Sequence, residues 1–100
     1  MSLTPSENAQ TRAEFEANLA LTGLTLAQVS RDLETNQSYI EDLLRLNPRD
    51  INHPWILRNY LLQKVEEMGK EPVPFTALRG RSEDYWFLDS RLINEKKIGW

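Results

Sequence analysis

The chain has 100 residues, 40% hydrophobic and 27% charged, with a net charge of −3, which fits one domain (residues 1–100) with a modest single core and argues against general nucleic-acid affinity through bulk positive charge. It has no Cys and a single His, which excludes disulfides and thiolate metal sites and leaves a lone His as a poor metal ligand. The opening MSLTPSEN has neither a basic region nor an apolar run, and no stretch approaches the roughly 20 apolar residues that span a bilayer, so a cytoplasmic protein without signal peptide or membrane span is expected.

Thr4-Pro5-Ser6-Glu7 is a helix start: a Thr cap, Pro at the first helical position and Glu at the third. The first helix is expected to run to about Leu21 and stop before Gly23. Ala13, Phe15, Leu19 and Ala20 give it a partly apolar face, with Glu7, Glu14 and Glu16 in water. Thr25 and Gln28 repeat the capping-box spacing, and Leu26, Val29 and Leu33 follow at helical intervals. Asn36 is itself a strong N-cap residue, so a new helix opens there and only Glu34 and Thr35 remain for a turn. In that third helix Ile40, Leu43 and Leu44 form the buried stripe, and Gln37, Ser38, Glu41, Asp42 and Arg45 face outward.

Residues 47–53, NPRDINH, read as a polar loop with a Pro. His53 is expected at a helix cap with Pro54 at the first position of a fourth helix, which extends to Met68 and ends at Gly69. Trp55, Ile56, Leu57, Tyr60, Leu61, Leu62, Val65 and Met68 form its apolar side. Lys70-Glu71-Pro72-Val73-Pro74 is an extended connector, because prolines two apart exclude a helix. Two short apolar runs follow, Phe75 to Leu78 and Tyr85 to Leu88, flanking a Gly-containing polar loop. Their simplest reading is a small β-hairpin, with a helical turn at Thr76 to Leu78 as the alternative. Asp89 then caps a last short helix, Ser90 to about Lys97. Tyr85, Trp86, Phe87 and Trp100 are four of the nine aromatics, more than a four-helix core needs, and they are the candidate dimer contacts, with a tail that folds back over the fourth helix as the equal alternative.

The stretch Leu24 to Leu46 resembles the lambda-repressor-like, Cro/repressor-type helix-turn-helix superfamily through Leu24-Thr25, Val29, Leu33, Asn36-Gln37-Ser38 and Ile40. The whole chain, with its HPW segment and YWFLDSRLI tail, is also similar to a small bacterial domain-of-unknown-function family related to that superfamily. The resemblance implies an all-α helix-turn-helix bundle of four to five helices, with the motif at 24–46, a C-terminal extension at 70–100, and the first helix packed across the two motif helices. It departs from the pattern at Glu34, where the family commonly has Gly in a left-handed turn conformation, and at Leu26, where a phosphate-holding Gln is common.

A resemblance of this kind implies a bacterial transcriptional regulator that binds double-stranded DNA as a homodimer, with the third helix in the major groove. Gln37 would then pair with adenine, Ser38 would read a donor or an acceptor, and Asn36 or Tyr39 would hold a phosphate or pack on a thymine methyl. Glu41 could accept from cytosine N4. Arg31, Arg45 and Arg49 would contact phosphates, which positions without specifying, and Arg79-Gly80-Arg81 at the hairpin tip could serve as a wing, although a solvated loop tip is the simpler reading. Residues 24–46 nevertheless hold Arg31 and Arg45 against Asp32, Glu34, Glu41 and Asp42. Acidic Glu41 and Asp42 would repel phosphates, so the competing reading is a non-DNA-binding scaffold that acts as a protein interaction module. No catalytic residue, cofactor or metal is expected: there is no glycine-rich phosphate loop and no HExxH or GxSxG pattern. The pairs Glu41-Asp42, Glu66-Glu67 and Glu83-Asp84 are sequence neighbours, and on a helix such neighbours diverge by about 100°.

Overall fold

A computed structural model describes residues 4–50, 52–78 and 98. They form four helices, α1 (Pro5–Thr22), α2 (Leu26–Asp32), α3 (Gln37–Leu44) and α4 (His53–Glu67), with no strand among the described residues. None of these helices is long and apolar enough to cross a membrane.

The helix starts follow from the residues expected to make them. Thr4 and Thr25 each accept a hydrogen bond from the backbone N–H three residues on, and Glu7 and Gln28 return one to the cap N–H. Asn36 caps α3 through its Oδ1, which accepts from the Tyr39 N–H at 2.8 Å. The fourth start departs by one residue. Asn52 is the N-cap, His53 the first helical residue and Pro54 the second. Asn52 makes no side-chain cap; its backbone N–H and its amide both donate to Asp50 Oδ1, each at 2.8 Å.

Three helices end on one device. After α2, α3 and α4 a residue with positive φ follows the cap: Glu34 at 57°, Leu46 at 59° and Gly69 at 73°. In each case the next N–H reaches back five residues, from Thr35 to Ser30, Asn47 to Asp42 and Lys70 to Val65, the pattern of a Schellman motif. Gly69 meets this conformation without strain, whereas Glu34 and Leu46 carry a Cβ that opposes it. We therefore expect Glu34→Gly to be more stable than Glu34→Ala by about 1 kcal/mol, since both remove the same side chain and only Ala retains the Cβ. Paired urea melts measure the difference, and equal midpoints would mean the turn relaxes at no cost.

The core joins Phe15 of α1, Val29 and Leu33 near the end of α2, Ile40 and Leu43 of α3, and Trp55, Ile56, Leu57 and Leu61 of α4. α1 lies mainly on α4, with a smaller contact to α3, while α2 packs on α3. The expectation of α1 crossing both α2 and α3 is thus corrected toward α4. Tyr60 of α4 reaches α2, its hydroxyl donating to Asp32 Oδ2 at 2.6 Å. Burial, aided by that carboxylate, pushes the Tyr60 phenol well above its ordinary range.

Two further expectations change. The inner face of α1 is largely polar: Thr11, Glu14, Phe15, Asn18 and Thr22 are buried, Ala13 and Ala20 are exposed, and Glu14 is only 2% accessible. The reason lies in residues 70–78, which run as an extended strap. Asn18 donates to the Val73 carbonyl and accepts from the Val73 N–H, both at 2.9 Å, and Glu14 accepts from the Thr76 N–H and hydroxyl. Phe75 stacks edge-on against Phe15 with ring centroids 5.1 Å apart. Arg58 closes the far end, its Nε donating to the Leu78 carbonyl at 2.7 Å. Phe75 to Leu78 is therefore neither a hairpin strand nor a helical turn but bends within this strap. Its backbone partners are the side chains of Glu14 on α1 and Arg58 on α4, and its apolar residues Phe75 and Leu78 fill the core. The second hairpin run, Arg79-Gly80-Arg81, the last helix and the candidate dimer contacts Tyr85, Trp86, Phe87 and Trp100 lie outside the described residues. Ile98 packs against the core, its N–H donating to the Leu33 carbonyl at 2.7 Å.

Candidate functional site at the first turn of α3

Helix α3 is held from inside and presents polar groups outside. Tyr39, Ile40 and Leu43 are buried, at 5%, 0% and 0% exposure, which fixes the rotation of an eight-residue helix about its axis. Gln37, Ser38 and Glu41 are exposed, with Asp42 and Asn36 half-exposed. Asn36 spends its Oδ1 on the Tyr39 N–H, so only its amide remains to face outward. Arg31 in the last turn of α2, Arg45 at the C-cap of α3, and Arg49 in the loop beyond are all exposed.

Tyr39 is placed differently from a residue that would contact a ligand. Its ring is turned inward, and its hydroxyl is shared by two neighbours. The Arg49 N–H donates to it at 2.7 Å, and it lies 2.6 Å from His53 Nδ1. The Arg49 guanidinium sits 3.9 Å from the centroid of the same ring, a cation–π contact. His53 meets the ring edge-on, with centroids 5.5 Å apart. One side chain thus binds the first turn of α3 to the following loop and to the start of α4. Arg49, ten residues from Tyr39 in sequence, is thereby brought against Tyr39 in the first turn of α3. Among the described residues no contact draws Arg31 or Arg45 into this cluster.

The electrostatics are mixed. Burial holds the His53 imidazole below its ordinary pKa and Arg49 adds to this, while Asp50 opposes it. The Asp50 carboxyl is lowered chiefly by the hydrogen bond from the Asn52 backbone, against the opposing effect of burial. Around α3 the exposed Arg31, Arg45 and Arg49 stand against Glu34, Glu41 and Asp42, and Asp32 is engaged by Tyr60. Such a surface can donate and accept hydrogen bonds and place guanidinium groups. Among the described residues no three His, Asp or Glu side chains come together as a metal site would need. A separate open groove of about 260 Å³, lined by Ser6, Glu7, Gln10, Thr76 and Ala77, adjoins the Glu14–Thr76 contact and offers no cation.

Sequence reasoning found the exposed residues of α3 but not the Tyr39–Arg49–His53 cluster. A signal was available: a Tyr directly before the buried Ile40, followed by a single His near a helix start, pairs a phenol with a group that can accept its proton.

A family model described as an uncharacterized protein conserved in bacteria (DUF2316) matches residues 1–89. No curated protein and no solved structure matches the chain.

Proposed function

The chain belongs to this uncharacterised bacterial family, and we propose that it is a cytoplasmic transcriptional regulator that binds double-stranded DNA through a lambda-repressor-like helix-turn-helix. In this reading α2 and α3 are the two helices of the motif, and Glu34 is its left-handed turn residue. The N-terminal end of α3 enters the major groove. Gln37 and Ser38 meet base edges, Glu41 reaches a cytosine amine, and Arg31, Arg45 and Arg49 meet phosphates. Tyr39 supports this surface from behind. The protein acts as a homodimer, so that two such helices reach two half-sites about 34 Å apart, with the aromatics Tyr85, Trp86, Phe87 and Trp100 as its dimer contacts. Its role is binding, not catalysis.

The observation that carries the reading is the fixed rotation of α3. Its apolar residues are locked inward, its polar N-terminal pair is exposed, and the ring of Tyr39 in the same turn holds the Arg49 guanidinium. A second reading, a protein interaction module that receives a basic partner, is favoured by Glu41 and Asp42 on the outward side of the same helix.

A titration against random duplex DNA at low salt, followed by sequence selection, decides between them. A regulator should enrich a two-fold symmetric site and lose affinity steeply as salt rises, because each phosphate contact releases counterions. Gln37→Ala should then lose about tenfold on the selected site and little on random DNA. Absence of any low-salt binding sinks the DNA reading and leaves the interaction module. Light scattering on the same protein tests the homodimer, which a one-chain mass at high concentration would exclude.

A further inference from the structure

We propose that Tyr39 is a positioning residue whose hydroxyl locks the Arg49 loop to the first turn of α3, and that the lock opens when His53 takes up a proton. The proposal deepens the DNA-binding reading and rests on it for its effect on DNA, but not for the lock itself.

The hydroxyl of Tyr39 has one proton to give. The Arg49 N–H already donates to its oxygen at 2.7 Å, and in the proposed lock the proton goes to the second neighbour, His53 Nδ1, 2.6 Å away. That requires an imidazole with a bare Nδ1 and its proton on Nε2. Both residues are nearly inaccessible, Tyr39 at 5% and His53 at 8%, so water is a poor substitute partner. The arrangement is complete as it stands: Arg49 N–H to Tyr39 hydroxyl to His53.

Protonation of His53 turns Nδ1 from an acceptor into a donor. The phenol then faces two donors, Arg49 N–H and His53 Nδ1–H, and its own proton has no acceptor in the cluster. A buried hydroxyl in that position carries a desolvation cost, which is relieved by moving apart. The partner that gives way is Arg49 with its exposed neighbours 47 and 48, since Tyr39 and His53 are built into helices. Among the described residues the groups that act on His53 are Asp50 and Arg49 from the loop and Tyr39 from α3. Asp50 favours the charged form and Arg49 disfavours it. Burial disfavours it most of all and holds the imidazole below its ordinary pKa.

The sign of the consequence is diagnostic. A proton gained by a DNA-binding protein adds positive charge and by itself strengthens phosphate contact as pH falls. Release of Arg49 from beside the α3 end does the reverse.

The test is an NMR titration of the full chain from about pH 7.5 to about pH 5, run on the natural protein and on Tyr39→Phe. The expected result is a neutral His53 with its proton on Nε2 and an Arg49 amide whose shift and protection are lost with the same midpoint as His53 protonation. In Tyr39→Phe the Arg49 amide should be unprotected and insensitive to pH. A protected Arg49 amide that ignores the His53 titration, or His53 with its proton on Nδ1, overturns the lock. Should Tyr39→Phe fail to fold, the titration of the natural protein still decides. On a selected duplex at constant salt, affinity should fall about tenfold between about pH 7.5 and about pH 5.5 instead of rising. An affinity that rises through this range overturns the role in DNA binding. If no duplex is bound, the DNA reading falls while the Arg49 amide continues to judge the lock.

Discussion

Asn18→Ala is expected to destabilise the protein by about 3 kcal/mol, from unpaired polar groups more than from lost volume. Asn18 is fully buried, and all of its side-chain polar atoms are used. Its amide donates to the Glu14 and Val73 carbonyls at 2.9 Å, and its Oδ1 accepts from the Val73 N–H at 2.9 Å. It offers Val73 the same donor and acceptor that a neighbouring strand would. Truncation leaves the N–H and C=O of Val73 without partners, each costing about 1–3 kcal/mol to the extent that water stays out. Val73 is half-buried, which sets the estimate toward the low end. Asn18→Leu separates the two causes, because it restores volume and no hydrogen bond. If urea denaturation gives Leu and Ala nearly the same midpoint, the polar groups carry the cost. If Leu recovers most of the loss, the cavity does, and the strap is held by packing of Phe75 on Phe15 instead.

The strap also shows where sequence reading of this chain stopped. Helix starts were legible because capping is local: Thr4 with Glu7, Thr25 with Gln28, and Asn36 all act within one turn. Gly23 and Gly69 were legible as stops because each takes a positive φ at a helix end. Ile40 and Leu43 of α3 and most of the buried stripe of α4 were legible from apolar spacing alone, although Leu44 is only half-buried and Met68 at the end of α4 is 46% exposed. The inner face of α1 was not. Thr11, Glu14, Asn18 and Thr22 recur at spacings of three and four, but a pattern scored on hydrophobicity assigns them to solvent. What buries Glu14 and Asn18 is a demand from residues 73 and 76, some 55 to 62 positions away. A segment carrying Pro72 and Pro74 cannot pair as a regular strand, so its backbone groups must find side chains. A polar stripe on one helix and an unpaired extended segment elsewhere are a joint signal that neither gives alone. The shift at the start of α4 has a similar origin, since the Asp50 side chain captures Asn52 and the helix begins at His53 instead of Pro54. In the candidate site, exposure of Gln37, Ser38 and Glu41 was legible. The inward turn of Tyr39 was not, because Tyr is as common at a surface contact as in a core.

Reversing charge on the outer side of α3 should have the largest effect on DNA affinity if this helix enters the groove. Glu41 and Asp42 lie in its last turns, Glu41 exposed and Asp42 half-exposed. Each carboxylate opposes phosphate approach, and a Lys in its place adds a counterion-releasing contact. The pair Glu41→Lys with Asp42→Lys is expected to tighten binding to random duplex about 100-fold at low salt, with a salt slope steeper by about two contacts. The fold should not suffer, because Lys near a helix C-terminus complements the dipole and α3 has no basic residue in its last turn. Added charge alone strengthens DNA binding anywhere on a protein, so the comparison is a matched reversal of Glu16 on α1 and Glu66 on α4, both exposed. If the two double variants gain equally, α3 has no special proximity to DNA. If only the α3 pair gains, the helix faces the duplex, and the natural carboxylates hold affinity down so that base contacts from Gln37 and Ser38 decide where the protein binds. If neither gains, phosphates are not the partner of this surface. The same Glu41 and Asp42 would then be the attachment points for a basic protein, whose binding the α3 reversal should abolish and the matched reversal should spare.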